Sequence, residues 1–239
     1  MLFTQLSLAL ALAATASAHT QMVNAFVSGQ DQGEGKGKYI RFPDSFNPVL
    51  PPSKDLACNI KGDTAAPSFV KAAAGDTIGF RWFNNFAQEP IINPNHNGPI
   101  LTYIAQFPQG SPSGPIWSKI AQQGFEGGEW AVAKMIKNGG KVDFTLPQSL
   151  APGKYLVRQE IIALHQADFL ETDPAKAKTN PRGAEFYISC AQFEITGSGT
   201  KVPDQKFDPV SGYTKTNTLF NIHVPFDSYT PPGPPVLAG

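Results

Sequence analysis

"KYLVRQEIIAL", residues 154–164, and "EFYISCAQFEI", residues 185–195, are long runs rich in β-branched and aromatic residues without a helical period. Each reads as a strand. Shorter runs of the same kind recur at "MVNAFV" (22–27), "TIGFRWF" (77–83), "ILTYIAQF" (100–107) and "KVDFTL" (141–146). The 22 glycines and 22 prolines punctuate them. Short strands separated by turn residues, with no long amphipathic helix, define a mainly β chain: an immunoglobulin- or fibronectin-III-like antiparallel β-sandwich with long loops. Those loops are expected at 28–57, 84–99, 108–129 and 166–184, and connections of that length in a compact domain usually carry function. Within "EFYISC", Glu185 and Tyr187 are two residues apart and face one side, while Phe186 faces the other.

Residues 1–18 carry no charge, hold an apolar stretch from Leu6 to Ala14 and end in Ala16-Ser17-Ala18. This reads as a secretory signal peptide whose apolar part is too short to span a bilayer. Residues 19–239 are then expected to form one secreted, monomeric domain, with "SYTPPGPPVLAG" (228–239) as an extended C-terminal tail. The 19 basic and 19 acidic residues cancel, so no nucleic acid and no anionic membrane is indicated as partner. A neutral partner fits better. The two cysteines, Cys58 and Cys190, read in an oxidising compartment as one bridge rather than as two buried thiols.

All four histidines, His19, His96, His165 and His223, follow the expected cleavage point. Cleavage after Ala18 would leave His19 first, with a free α-amino group and an imidazole that can chelate one metal. Binding would displace the proton that such an amine carries at neutral pH. A second imidazole would complete a three-nitrogen set suited to copper. His96, in "NPNHNGPILTYIA" just before a strand, is the candidate.

The leading histidine, "NHNGPILTYIA", "PGKYLVRQEIIALHQAD", "RGAEFYISCAQFEI" and "PGPP" together resemble the fungal lytic polysaccharide monooxygenases of auxiliary-activity family 9, formerly grouped with glycoside hydrolase family 61. The resemblance covers nearly all of the chain after residue 18. It implies that His19 and His96 bind copper as a histidine brace, with Tyr187 in the axial position. His165, in "EIIALH", matches a histidine that lies beside the copper and can hydrogen-bond bound oxygen species. Cys58 and Cys190 match the family's structural disulfide. Tyr213, in "PVSGYTKTN", matches a surface tyrosine that stacks on sugar rings, and Arg182 is expected to add a polar contact to the glycan. Trp82, Trp117 and Trp130 read as core, and His223 matches no family motif.

One residue departs from the family pattern: Glu185 stands where a glutamine is usual. An amide can donate a hydrogen bond, whereas an ionised carboxylate only accepts. The activity implied is oxidative cleavage of β-1,4-glucans, cellulose or a relative such as xyloglucan, at C1, C4 or both. It would use one copper ion, O2 or H2O2, and an electron donor such as a small reductant or a secreted haem or flavin dehydrogenase. A non-catalytic copper-binding protein built on the same brace is the alternative. A hydrolase is disfavoured because Glu160 and Asp168 show no pairing by spacing.

Overall fold

A computed structural model describes residues 20–84, 91–108 and 110–238; the expected leader and His19 lie outside the described residues. The strands in chain order are β1 (Gln21–Val27), β2 (Gln30–Glu34), β3 (Ile40–Arg41), β4 (Val70–Ala73), β5 (Thr77–Phe83), β6 (Ile100–Gln106), β7 (Ser118–Gln123), β8 (Phe125–Glu126), β9 (Glu129–Trp130), β10 (Lys141–Thr145), β11 (Gly153–Ala163) and β12 (Glu185–Thr196). Three short helices, α1 (Ala131–Lys137), α2 (Pro174–Thr179) and α3 (Pro209–Gly212), lie in the connections. One sheet has the order β10-β5-β1-β2 and the other β3-β12-β11-β6-β7, with β4 added parallel to β12. This is the expected antiparallel sandwich of the immunoglobulin-like kind.

The strands read from the sequence are all present. The loop expected over 108–129 instead contains β7 and β8, and 28–57 contains β2 and β3. β7 escapes a sequence reading because "SKIAQQ" is polar, yet Ser118 and Lys119 are fully buried.

The two quoted runs form β11 and β12, which pair in unbroken antiparallel register from Gly153↔Ile195 to Ala163↔Glu185. Alternation sends Val157, Ile161, Tyr187, Ala191 and Phe193 into the space between the sheets, against Met22, Ala25, Phe80 and Trp82. The opposite set, Leu156, Ile162, Phe186, Ile188 and Cys190, packs in a second core beneath the long connections, with Leu56, Trp117, Trp130 and Tyr213. Residues 155–163 and 186–193 are therefore buried without interruption. On these strands alternation separates one core from another, not core from water.

The second core contains charge. Arg158 and Glu160, both wholly buried, form an ion pair of 2.6 Å, and the Arg158 guanidinium also donates to the Leu56 and Ala57 carbonyls. A buried ion is tolerated only when so paired and hydrogen-bonded. Beside this turn, Cys58 is bonded to Cys190 on β12, with a Cα–Cα distance of 5.6 Å and 132 residues between them in sequence. In the chain-entropy model, closing so long a loop stabilises by about 5 kcal/mol. Replacing both cysteines with alanine is expected to lower the unfolding free energy in urea by about that amount. A loss below about 1 kcal/mol would show that the hydrogen bonds of Arg158 and of Asn59 to Ile188 O hold the turn without the bridge.

Candidate metal centre

The ends of β11 and β12 carry the polar residues singled out by the sequence. β11 ends at Ala163, opposite Glu185 at the start of β12, so His165 emerges next to Glu185 and Tyr187. Tyr187 pairs with Ile161 in this ladder, which fixes its height on the sheet.

His96 arrives on the preceding turn. Asn93 closes that turn by accepting hydrogen bonds from Asn95 N at its side chain and from His96 N at its carbonyl, both at 2.9 Å. The turn then lies along β11: Ile162 N donates to Pro99 O and Leu164 N to Asn97 O. Gly98 is required here, since a Cβ at this position would stand 1.8 Å from Ile162 O. The "HNGP" motif thus reads as a histidine followed by the residue that permits contact. β1 begins close by, because Met22 N donates to Ser189 Oγ, two residues from Tyr187, at 3.4 Å.

His96, His165 and Glu185 each present a ligand atom, all within 4.8 Å of one another. Glu185 Oε2 lies 3.6 Å from His96 Nε2, and Glu185 Oε1 lies 3.9 Å from His165 Nε2. The two imidazole centroids are 4.0 Å apart, and that of Tyr187 is 5.9 Å from His96. The Tyr187 hydroxyl donates to Glu185 Oε2 at 3.0 Å, leaving its oxygen lone pairs free for a weak contact. Burial raises the Glu185 carboxyl above the usual carboxylate range against the pull of that hydrogen bond. Burial lowers the His165 pKa, with His223 and Arg182 acting in the same direction. The buried His165 Nδ1 makes no hydrogen bond, and its Nε2 lies 3.5 Å from Gln166 Nε2. A nitrogen-rich donor set with one carboxylate fits a copper ion.

His223 proves to be part of this neighbourhood: its Nε2 lies 3.0 Å from the His165 carbonyl. No sequence signal marked it, because the contact depends on a later segment anchored by Phe220 N on Ala167 O. Arg182 also lies beside the cluster, but its guanidinium is paired with Asp168 and packed over the Phe169 ring.

Tyr213 requires correction. It is 1% exposed and cannot stack on a sugar at the surface. It ends α3, and its hydroxyl donates to Glu160 Oε1 at 2.5 Å while sharing a further 2.5 Å contact with the Tyr103 hydroxyl. A buried carboxylate needs donors, and Tyr213 supplies one.

Imidazoles and a carboxylate thus gather at the end of the central strands of a β-sandwich. The model of Auxiliary Activity family 9 (formerly GH61) matches residues 19–229, and the chain belongs to this family of copper-dependent lytic polysaccharide monooxygenases. It is 46% identical over 230 residues to "AA9 family lytic polysaccharide monooxygenase A" of Collariella virescens, covering 92% of this chain and 82% of that protein. The protein of the same name from Aspergillus tamarii is 41% identical across 97% of this chain, which spans only 61% of that longer relative. Among solved structures, "CvAA9A" superposes with a TM-score of 0.85 at 45% identity, covering 92% of this chain and 98% of that one.

The buried role of Tyr213 has a direct test. Tyr213→Phe is expected to lower stability by about 1–3 kcal/mol, because Glu160 loses a buried donor, without weakening glycan binding. Unchanged unfolding with weakened binding would restore the surface role.

Proposed function

We propose that the chain, secreted as one domain after removal of residues 1–18, is a copper monooxygenase that cleaves β-1,4-glucans oxidatively at C1, C4 or both. Cellulose and xyloglucan are the substrates favoured, with O2 or H2O2 as oxidant and an external reductant. The observation that carries the reading is the convergence of His96, His165, Glu185 and Tyr187 at the end of β11 and β12, in a chain whose family acts on such polymers. His19 and His96 would hold the metal, with the Tyr187 oxygen beside it. When bound, copper supplies the redox chemistry that no side chain can. The protein's part is to hold His96 against β11, to lower the His165 pKa by burial, and to direct the Tyr187 hydroxyl at Glu185.

The acid test is mass spectrometry of soluble products from amorphous cellulose incubated with copper-loaded protein and ascorbate. Aldonic acids, lactones or ketosugars are expected from the protein that begins at His19, and none when one alanine precedes it. Oxidised products from both forms would remove the free amine from the site.

Glu185 favours one second reading, a copper-binding protein without monooxygenase activity, since a carboxylate that reaches both imidazoles gives strong binding without a donor toward oxygen. Tight copper binding with no oxidised sugar from any glucan would support it. On the primary reading, Glu185→Gln retains copper but raises its reduction potential and alters the rate of product formation. Identical potentials, rates and affinities would show that the carboxylate has no influence on the metal.

A further inference from the structure

With Tyr213 inside the fold, and Trp82, Trp117 and Trp130 also buried, none of these rings can meet a sugar. Phe169 is 48% exposed and lies four residues after His165. Its loop is held close to the candidate metal centre. Ala167 N donates to Leu164 O, Phe220 N donates to Ala167 O, and Gly183 N closes the loop on Gln166 O.

The Phe169 ring does not hang free. The Arg182 guanidinium carbon stands 4.2 Å from the ring centroid, within the range of a cation–π contact. Arg182 is itself only 20% exposed and is fixed by its pair with Asp168. A cation clamped on one face leaves the other face of the ring to account for the exposure. The ring is thus ordered before any ligand arrives, so little side-chain freedom is lost on binding. The His223 Nε2, 3.0 Å from the His165 carbonyl, and the pairing of Arg182 with Asp168, three residues after His165, place this assembly next to the centre. β-Linked glucose presents axial C–H groups on its ring faces, a surface that an aromatic face covers well.

We propose that Phe169 is a sugar-stacking platform beside the metal centre that receives one glucosyl unit of a β-1,4-glucan, with Arg182 and Asp168 as positioning residues that hold its ring. This rests on the glucan reading given above.

Isothermal titration of the copper-loaded protein with cellohexaose tests it. Phe169→Ala is expected to weaken binding about tenfold, equivalent to roughly 1.4 kcal/mol. Phe169→Trp, which keeps a flat ring, is expected to bind within about threefold of the unaltered protein. Equal affinities of the unaltered protein and Phe169→Ala would overturn the platform while leaving the glucan reading intact. A loss in Phe169→Trp as large as in Phe169→Ala would also overturn it, since stacking would not then be the cause. If the unaltered protein binds neither cellohexaose nor a xyloglucan oligosaccharide, the glucan reading falls and the platform with it.

Discussion

The Arg158–Glu160 pair on the outer face of the larger sheet is the constraint on which the rest of the structure depends. Two opposite charges on one strand, both removed from water, must find every remaining partner within the protein. Arg158 finds the carbonyls of Leu56 and Ala57; Glu160 finds Tyr213, which in turn meets Tyr103. Leu56 and Ala57 come from one connection and Tyr213 from another, while Tyr103 stands on β6. Satisfying the pair therefore draws those connections over the sheet and makes a second core out of loops. Removing one member of such a pair costs about 3–5 kcal/mol, far more than a surface ion pair contributes.

That second core explains how a metal centre can stand at the edge of a sandwich and still be rigid. β11 and β12 are packed from both sides, so the residues just beyond their paired ends inherit fixed positions. His165, Glu185 and Tyr187 need no further scaffold. His96 is added by a turn whose glycine allows backbone contact with β11. The side chains then impose their own electrostatic order: a carboxyl raised by burial accepts a hydrogen bond from a phenol and faces two imidazoles, one of them with its pKa lowered by burial.

Much of this was legible in the sequence, and the exceptions share a cause. The long strands announced themselves through Ile, Val, Tyr and Phe, and the two-residue spacing of Glu185 and Tyr187 placed them on one face. His96 and His165 were marked by motifs whose backbone roles are local. β7 was hidden because its buried Ser118 and Lys119 look like surface residues; Gln205 and Pro232, far along the chain, satisfy them. Tyr213 misled for the same reason. Nothing within "PVSGYTKTN" distinguishes a tyrosine that faces sugar from one that faces Glu160, 53 residues earlier. His223 and Phe169 acquired meaning only from neighbours distant in sequence or from the exposure of one ring face.

The segment from Phe220 to Ala238 bears on how the protein comes into being. Lys119, whose ammonium burial brings down to about 8, donates to Pro232 O, and its own carbonyl accepts from Leu237 N; Gln205 Nε2 reaches Pro235 O. Every strand is synthesised before this segment. During elongation the sandwich can therefore pair its sheets while the buried lysine on β7 still lacks its final acceptor. The prolines at 231, 232, 234 and 235 leave the segment few conformations to lose when it docks. Closure of the outer core thus waits for the last residues of the chain, and a ribosome that stops early would release a sandwich whose Lys119 ammonium keeps only Gln122 Oε1 of its two acceptors.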